Sequence, residues 1–485
     1  MKRLTPFLPY LLLLLSAGAL IFTLAPFNLW FIAPFALAVF HHSLINASLK
    51  QTLYRSFYFG LCFYLLGVHW VWVSIHVHGN APALLATIMT LGFCAILSFF
   101  LILPFGALFY FIKSTPMGRT LGFAAIWLFH EWTSTWIFTG FPWLLLGYSQ
   151  TESPFSGLAP IMGTMGLSFV IALIAALLST AKTDYKAQSF QTLTMMMVVM
   201  LLFAPFFKNH EWTTKKSNTP YSVAIVQPNY TLEQKWDLDM LVPIREFYQS
   251  NLQSLNGTDI ILWPESAFTE IYQDAPDLID ALEQTAKAQN TALIFGMPTQ
   301  WEKNGHLTYY NSIHGVGEAH GMYHKQKLVP FGEYVPFEDQ LRGLIYFFDL
   351  PLSEFSKGPE EQVFLQAKDW RVAPYICYEL VYPDFVSNSA SKADLLLTVS
   401  NDTWFGQSIG PKQHMQMAQM RALETGRYLI RGTNDGITAV VDPMGRITDQ
   451  LPQFERGVLK SEVYAMKGLT PLMQYGTLPF LLFSA

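Results

Sequence analysis

Apolar positions run almost without interruption from about position 6 to 207, and the pattern then changes to short β-branched runs separated by helical stretches. A bilayer-crossing helix needs roughly 20 largely apolar residues, and on that rule about seven fit before position 208. They cover 6–24, 26–42, 54–75, 82–112, 118–133, 155–181 and 190–207, so 1–208 is expected to be a transmembrane region. Lys2 and Arg3 ahead of LLLLLSAGAL resemble the start of a secretory signal. More apolar runs follow at once and no small-residue cleavage site stands out, so the first helix is expected to be retained. In the polar half, 219–466, period and length predict strands at 221–227, 259–264, 291–297, 371–377, 394–400 and 436–442, with helices at 276–289 and 412–425. DPMGR at 442–446 reads as a reverse turn. This is the pattern of a single α/β or layered α+β domain. The stretch 470–485 is expected to be a short C-terminal membrane segment.

Charge orients this arrangement. With the N-terminus inside, the cytoplasmic loops carry Lys50, Arg55, Lys113, Arg119, Lys182 and Lys186, while the loops near 75–81 and 134–154 contain neither Lys nor Arg. An odd number of spans then delivers everything after 208 to the outer face. In a bacterium that is the periplasmic side of the inner (cytoplasmic) membrane, with a multi-pass anchor. Hydrophobic residues make up 51% of the chain and charged residues 13%, which excludes an ordinary soluble multidomain protein. The net charge of -5 comes without a long basic run, so nucleic acid is not an expected partner.

Cys62 and Cys94 lie inside apolar segments, leaving Cys377 alone in the polar half as either a small buried hydrophobe or a reactive thiol. His69, His76 and His78 flank aromatic residues at a membrane boundary and have no acidic or thiolate cluster beside them, so they read as interface packing. No metal or cofactor is expected. Glu131, beside Trp132 at the end of the fifth run, is either structural or shapes a lipid cleft.

Three motifs in the polar half follow strand-like segments, where a rigid element supports a group and a loop admits substrate. They are WPES at 263–266 with Glu265, YHKQKLVPFGEYVPF at 323–337 with Lys325 and Glu333, and ICYE at 376–379 with Cys377 and Glu379. A thiol nucleophile needs its proton removed, and a nearby base or cation supplies that condition. Glu265, beside Trp263 and Phe268, suits a general base that later acts as an acid. Lys325, with the backbone N–H after the nucleophile, suits a thiolate and an oxyanion. Singly, each residue has a bland reading: a packed Cys, a solvated Lys, a turn.

In order and context these residues resemble the Glu, Lys, Cys triad of the nitrilase, or carbon-nitrogen hydrolase, superfamily. The resemblance spans roughly 220–465 and implies an αββα sandwich. Together with the multi-span half, TGFPWLLLGYSQ at 139–150, SNDTWFG at 400–406 and GRYLIRGTNDGITAVVDPMGRI at 426–447, the chain resembles the bacterial apolipoprotein N-acyltransferase family. That resemblance implies Glu265 as base, Lys325 as stabiliser of thiolate and oxyanion, Cys377 as nucleophile and Glu333 as an essential carboxylate. Trp236, Tyr378 and Glu379 match supporting positions. It implies a phospholipid acyl donor, a thioester on Cys377 and a diacylglyceryl apolipoprotein as acceptor. Phe141 to Trp143 and Trp404 with Phe405 are expected to form a lipid gate. Water as acceptor would make the same triad a membrane-anchored amidase or hydrolase. A transporter or lipid-binding protein is a third reading, opposed by the intact triad and by the lack of paired intramembrane charges.

Overall fold

The computed structural model describes residues 7–303, 305–334, 355–479 and 481. Lys2, Arg3, the last three residues of KLVPFGEYVPF and most of 480–485 fall outside that set. Each of the seven apolar runs is helical over most of its length. Among the described residues three helices are long and apolar enough to cross a membrane, Ala83–Ile112, Ser156–Asp184 and Gln188–Phe207. Leu49–Gly67 and Val71–His78 pass the same test as a pair bent by 62°, and Leu8–Ile21 and Trp30–Ile45 are shorter apolar helices. Phe123–Thr133 is shorter still and continues directly from the helical turn Gly118–Gly122. After Thr470, a capped helix Pro471–Tyr475 packs against the helix Ala159–Asp184.

The polar half is two stacked sheets. Strands Gly457–Val463, Tyr221–Gln227, Ile260–Leu262, Ala292–Gly296, Ser312–Gly317 and Met322–His324 form one, in that order. The other runs Ile447–Gln450, Ala439–Val441, Leu429–Thr433, Leu395–Ser400, Trp370–Ile376, Leu365–Ala367 and Ala319–His320. Side chains alternate across each strand. Val223, Ile225, Leu262 and Ile294 therefore meet Val372, Ile376, Leu397 and Val399 between the sheets. Ala224, Val226, Ile261 and Phe295 face outward beneath helices Leu241–Ser254 and Pro276–Ala288. Tyr375, Leu396 and Leu429 face outward beneath Pro383–Ala390 and Gly410–Thr425. The result is a four-layered αββα sandwich. The parallel strands point their carboxyl ends to one edge, where the loops carrying the motifs gather.

The sequence pattern missed several strands, notably the hairpin Thr299–Lys303 with His306–Tyr310 and the edge strands Ile447–Gln450 and Gly457–Val463. These carry polar residues on one or both faces, so no apolar run marks them. Their pairing partners supply what their composition does not.

Helix Gly410–Thr425 belongs to the sandwich but is buried at every position except Lys412, because its far side packs into the apolar helical half. Gln413 accepts the indole N–H groups of Trp70 at 3.3 Å and Trp143 at 2.7 Å and donates to the Gly67 carbonyl at 3.1 Å. Gln416 accepts from the Ala25 N–H at 3.0 Å. Lower down, Gly163 takes φ 68° and breaks the helix Ala159–Asp184, which frees the Thr164 N–H. Glu424 accepts that N–H at 2.6 Å and the Thr164 hydroxyl at 2.7 Å, and pairs with Arg421 at 2.8 Å. Both charged residues are fully buried. Replacing Glu424 with Ala strands Arg421 and two donors of Thr164, so Glu424→Ala is expected to destabilise the protein by about 3–5 kcal/mol. Thermal unfolding of detergent-solubilised protein measures this, and an unchanged midpoint would refute the coupling.

Candidate active site

Glu265, Lys325 and Cys377 come together at the carboxyl edge of the sheets. Glu265 follows strand Ile260–Leu262 in a turn whose next residue, Ser266, has φ 47°. A Cβ on Gly296 would stand 2.8 Å from the Glu265 Cα and 2.7 Å from the Ser266 nitrogen, so this close approach requires glycine at 296. The Glu265 carboxylate accepts from Asn311 Nδ2 and from the Asn401 backbone N–H, both at 2.8 Å. It is thereby held 3.6 Å from Lys325 Nζ. Lys325, just past strand Met322–His324, is 1% exposed and pairs with Glu333 at 2.8 Å. Glu333 in turn accepts from Asn311 Nδ2 at 2.9 Å and from the Val329 N–H at 2.9 Å. One ammonium therefore sits between two carboxylates that a single amide ties together.

Cys377 follows strand Trp370–Ile376 directly and opens the short helix Cys377–Val381 with φ 50°. That left-handed conformation costs a residue with a Cβ roughly 1–3 kcal/mol and must be held by its surroundings. The imidazole of His414 lies 3.1 Å from its carbonyl. Burial pushes the Cys377 thiol up to about 12, with Glu265 adding to the rise and Lys325 opposing it. Burial pulls the Lys325 ammonium toward neutrality, but Glu333 and Glu265 outweigh it and keep the group charged well above the usual lysine range. The resting site is thus a protonated thiol beside an ammonium and a carboxylate, poised for proton transfer once a substrate carbonyl arrives.

The other predicted residues divide. Glu379 is fully buried and accepts from Tyr323 at 2.7 Å, from the Gln326 N–H at 2.6 Å and from the Ile376 N–H at 2.7 Å. Burial raises its carboxyl to about 7 against those bonds. It braces the strand end that carries Cys377. Tyr378 donates to the Gly140 carbonyl at 2.8 Å, Tyr382 to the Thr139 carbonyl at 2.9 Å, and Tyr148 to the Val381 carbonyl at 3.2 Å. The nucleophile's helix is thereby fastened to the TGFPWLLLGYSQ loop. Trp236 is 41% exposed on helix Leu232–Trp236. It is the preceding residue, Lys235, that is buried and donates to the Glu265 carbonyl at 3.0 Å. Burial lowers that ammonium to about 8. Trp404 stands against His78, with ring centroids 5.6 Å apart, and its carbonyl accepts from Ser74.

The expected gate is corrected in part. Trp143 and Phe405 are buried against Trp70, with ring centroids 4.7 Å and 4.6 Å from it, so they join the two halves rather than line an opening. Glu131 proves structural, accepting from Trp127 Nε1 at 2.9 Å and from the Leu146 N–H at 2.8 Å. His76 bonds the Ala81 carbonyl, and among the described residues no group of His, Cys, Asp or Glu is arranged to hold a metal. Sequence reading missed Asn311, Lys235, Asn401 and His414. Asn401 lies inside the quoted SNDTWFG, whereas the amide of Asn311 acquires meaning only when two carboxylates fold around it.

The family model for carbon-nitrogen hydrolases matches residues 222–466, so the sandwich with its Glu, Lys, Cys cluster is of the nitrilase class. A second model, the apolipoprotein N-acyltransferase N-terminal domain, matches residues 16–177. The apolipoprotein N-acyltransferase of Pseudomonas putida is 44% identical over 96% of this chain and 93% of its own length. That of Coxiella burnetii is 36% identical over 96% of each. The chain belongs to the apolipoprotein N-acyltransferase family. Among solved structures, an amidase from Nesterenkonia sp. AN1 is 18% identical, with a TM-score of 0.38, over 55% of this chain and 97% of that one.

The direction of the charge effects on Cys377 is testable. In Glu265→Gln burial still raises the thiol but the negative charge that adds to the rise is gone, so ultraviolet thiolate absorbance is expected to appear at lower pH than in the parent. Acyl transfer should nonetheless fall by about 100-fold or more, the usual loss with a general base. A titration displaced to higher pH would contradict this site.

Proposed function

We propose that this chain moves an acyl chain from a membrane phospholipid, through a thioester on Cys377, to the α-amine of the N-terminal S-diacylglyceryl cysteine of apolipoproteins, the final step of lipoprotein maturation. One observation carries the reading: a half-buried thiol beside a buried ammonium and carboxylate, on a nucleophile helix bonded directly to a loop of the apolar helical half. In the first step the Cys377 proton passes to Glu265 as sulfur attacks the ester carbonyl. Lys325 and the Tyr378 N–H receive the charge that develops on oxygen. The carbon–oxygen bond breaks, Glu265 returns the proton to the departing lysophospholipid, and the acyl group stays on sulfur. In the second step the amine attacks the thioester, its proton passes to Glu265, and Cys377 leaves and is reprotonated. No cofactor enters the scheme.

Location supports it. Removing an acyl chain from a bilayer costs about 0.8 kcal/mol per methylene, which a site beside the membrane does not incur. We place the chain in the bacterial inner membrane with 1–208 as a transmembrane region, 219–466 as a periplasmic catalytic domain and 470–485 as a short membrane-associated segment. The basic residues assigned to the cytoplasmic side cluster at one end of the bundle: Lys113 bonds the Leu44 carbonyl at 2.7 Å and Arg119 pairs with Asp184 at 2.6 Å. The catalytic sandwich is joined at the other end.

Intact-mass analysis after incubation with phospholipid should reveal one fatty acyl adduct that is absent from Cys377→Ala. A diacylglyceryl lipopeptide should discharge it, and water only slowly. Rapid discharge by water would instead make the protein a hydrolase.

A further inference from the structure

His414 is fully buried in helix Gly410–Thr425 and takes no part in the proton transfers above. Its Nε2 faces the Cys377 carbonyl at 3.1 Å, an oxygen that only accepts, so Nε2 carries a proton. Its Nδ1 faces Arg431 Nη2 at 3.1 Å, a group that only donates, and Asp402 Oδ1 at 3.2 Å. Asp402 takes Arg431 on Oδ2 at 2.7 Å and the Ser400 hydroxyl on Oδ1 at 2.6 Å, and its negative charge draws a proton toward the ring. Burial and the Arg431 guanidinium outweigh Asp402 and lower the ring's proton affinity, so the proton stays on Nε2 and Nδ1 accepts from Arg431. The imidazole is neutral with a single defined tautomer.

The Cys377 carbonyl and the Tyr378 N–H are opposite ends of one planar trans peptide. Holding the carbonyl into the protein fixes where the N–H points, and hydrogen bonding at one end of a peptide strengthens the donor at the other. Tyr378 lies in the first turn of its short helix, where N–H groups lack intrahelical acceptors. We propose that His414 is a positioning residue for the oxyanion site: through the Cys377 carbonyl it orients and strengthens the Tyr378 N–H that, with Lys325, receives the negative charge of the tetrahedral intermediate. The same bond restrains Cys377 at φ 50°. The inference rests on Cys377 being the acylated nucleophile.

The test uses the full chain in lipid nanodiscs and compares two rates at Cys377. Alkylation by iodoacetamide displaces iodide at a saturated carbon and develops no oxyanion, whereas acyl loading from phospholipid, followed by intact mass, does. In His414→Phe acyl loading is expected to fall about 10- to 100-fold, short of the roughly 100- to 1,000-fold seen when an oxyanion donor is deleted, while alkylation stays within about threefold. His414→Gln, whose amide again offers an N–H, should recover part of the loading rate. Unchanged loading in His414→Phe, a parallel fall in both rates, or a Gln variant no faster than Phe would each overturn the proposal. If thermal unfolding shows that His414→Phe does not fold, His414→Gln decides alone: slowed loading with normal alkylation supports the proposal, and any other pattern overturns it. A parent protein that alkylates at Cys377 but never acquires an acyl adduct would overturn the thioester reading itself, and this proposal with it.

Discussion

Polar groups shut between an apolar helical bundle and a β-sandwich must find partners, and that constraint governs how the two halves of this protein meet. Unpaired, each such group costs a few kcal/mol. Helix Gly410–Thr425 carries most of them. Gln413 satisfies two tryptophan N–H groups and a carbonyl, Gln416 an N–H, and Glu424 the donors exposed where Gly163 breaks its helix. On its other side the same helix reaches Cys377 through His414. The halves are therefore interlocked by groups that water can replace only if the interface opens, and the geometry of the nucleophile is continuous with that interlock.

The same logic sets the electrostatics of the site. A lone buried ammonium would tend to lose its proton, but Lys325 lies between Glu333 and Glu265 and remains charged. Asn311 binds both carboxylates and so fixes their separation, which keeps the positive charge aimed at the region of Cys377. Preorganised charge of this kind needs no rearrangement when an oxyanion forms, and that is why it is effective in a site where water is scarce. The thiol stays protonated until attack on a substrate carbonyl draws its proton onto Glu265, a state that also guards it against adventitious reaction.

Aromatic residues at the junction do two jobs that a linear reading runs together. Trp70, Trp143 and Phe405 form a packed cluster with little exposure, whereas Trp236 and Trp404 stay partly open near the triad and the His78 loop. Tyr378, Tyr382 and Tyr148 reach across the junction with their hydroxyls, so the TGFPWLLLGYSQ loop serves as the seat of the nucleophile's helix. Glu131 holds that loop from below.

The chain's periodicities were enough to reveal a helical apolar half and an α/β polar half, while Glu265, Lys325 and Cys377 stood out through the resemblance of three ordered motifs to a known triad. Those features are local: the length of an apolar run, the alternation along a strand, or a charged residue where such a run stops. Strands without a continuous apolar run escaped because their identity depends on a pairing partner, not on their own composition. The importance of Asn311, Lys235 and His414 was likewise decided only by tertiary structure. An amide matters when two carboxylates distant in sequence converge on it, and a histidine matters here because folding shuts it between Arg431 and the Cys377 carbonyl. Hydrogen bonds act over about 3 Å in space and are blind to separation along the chain, so no spacing rule could have revealed them.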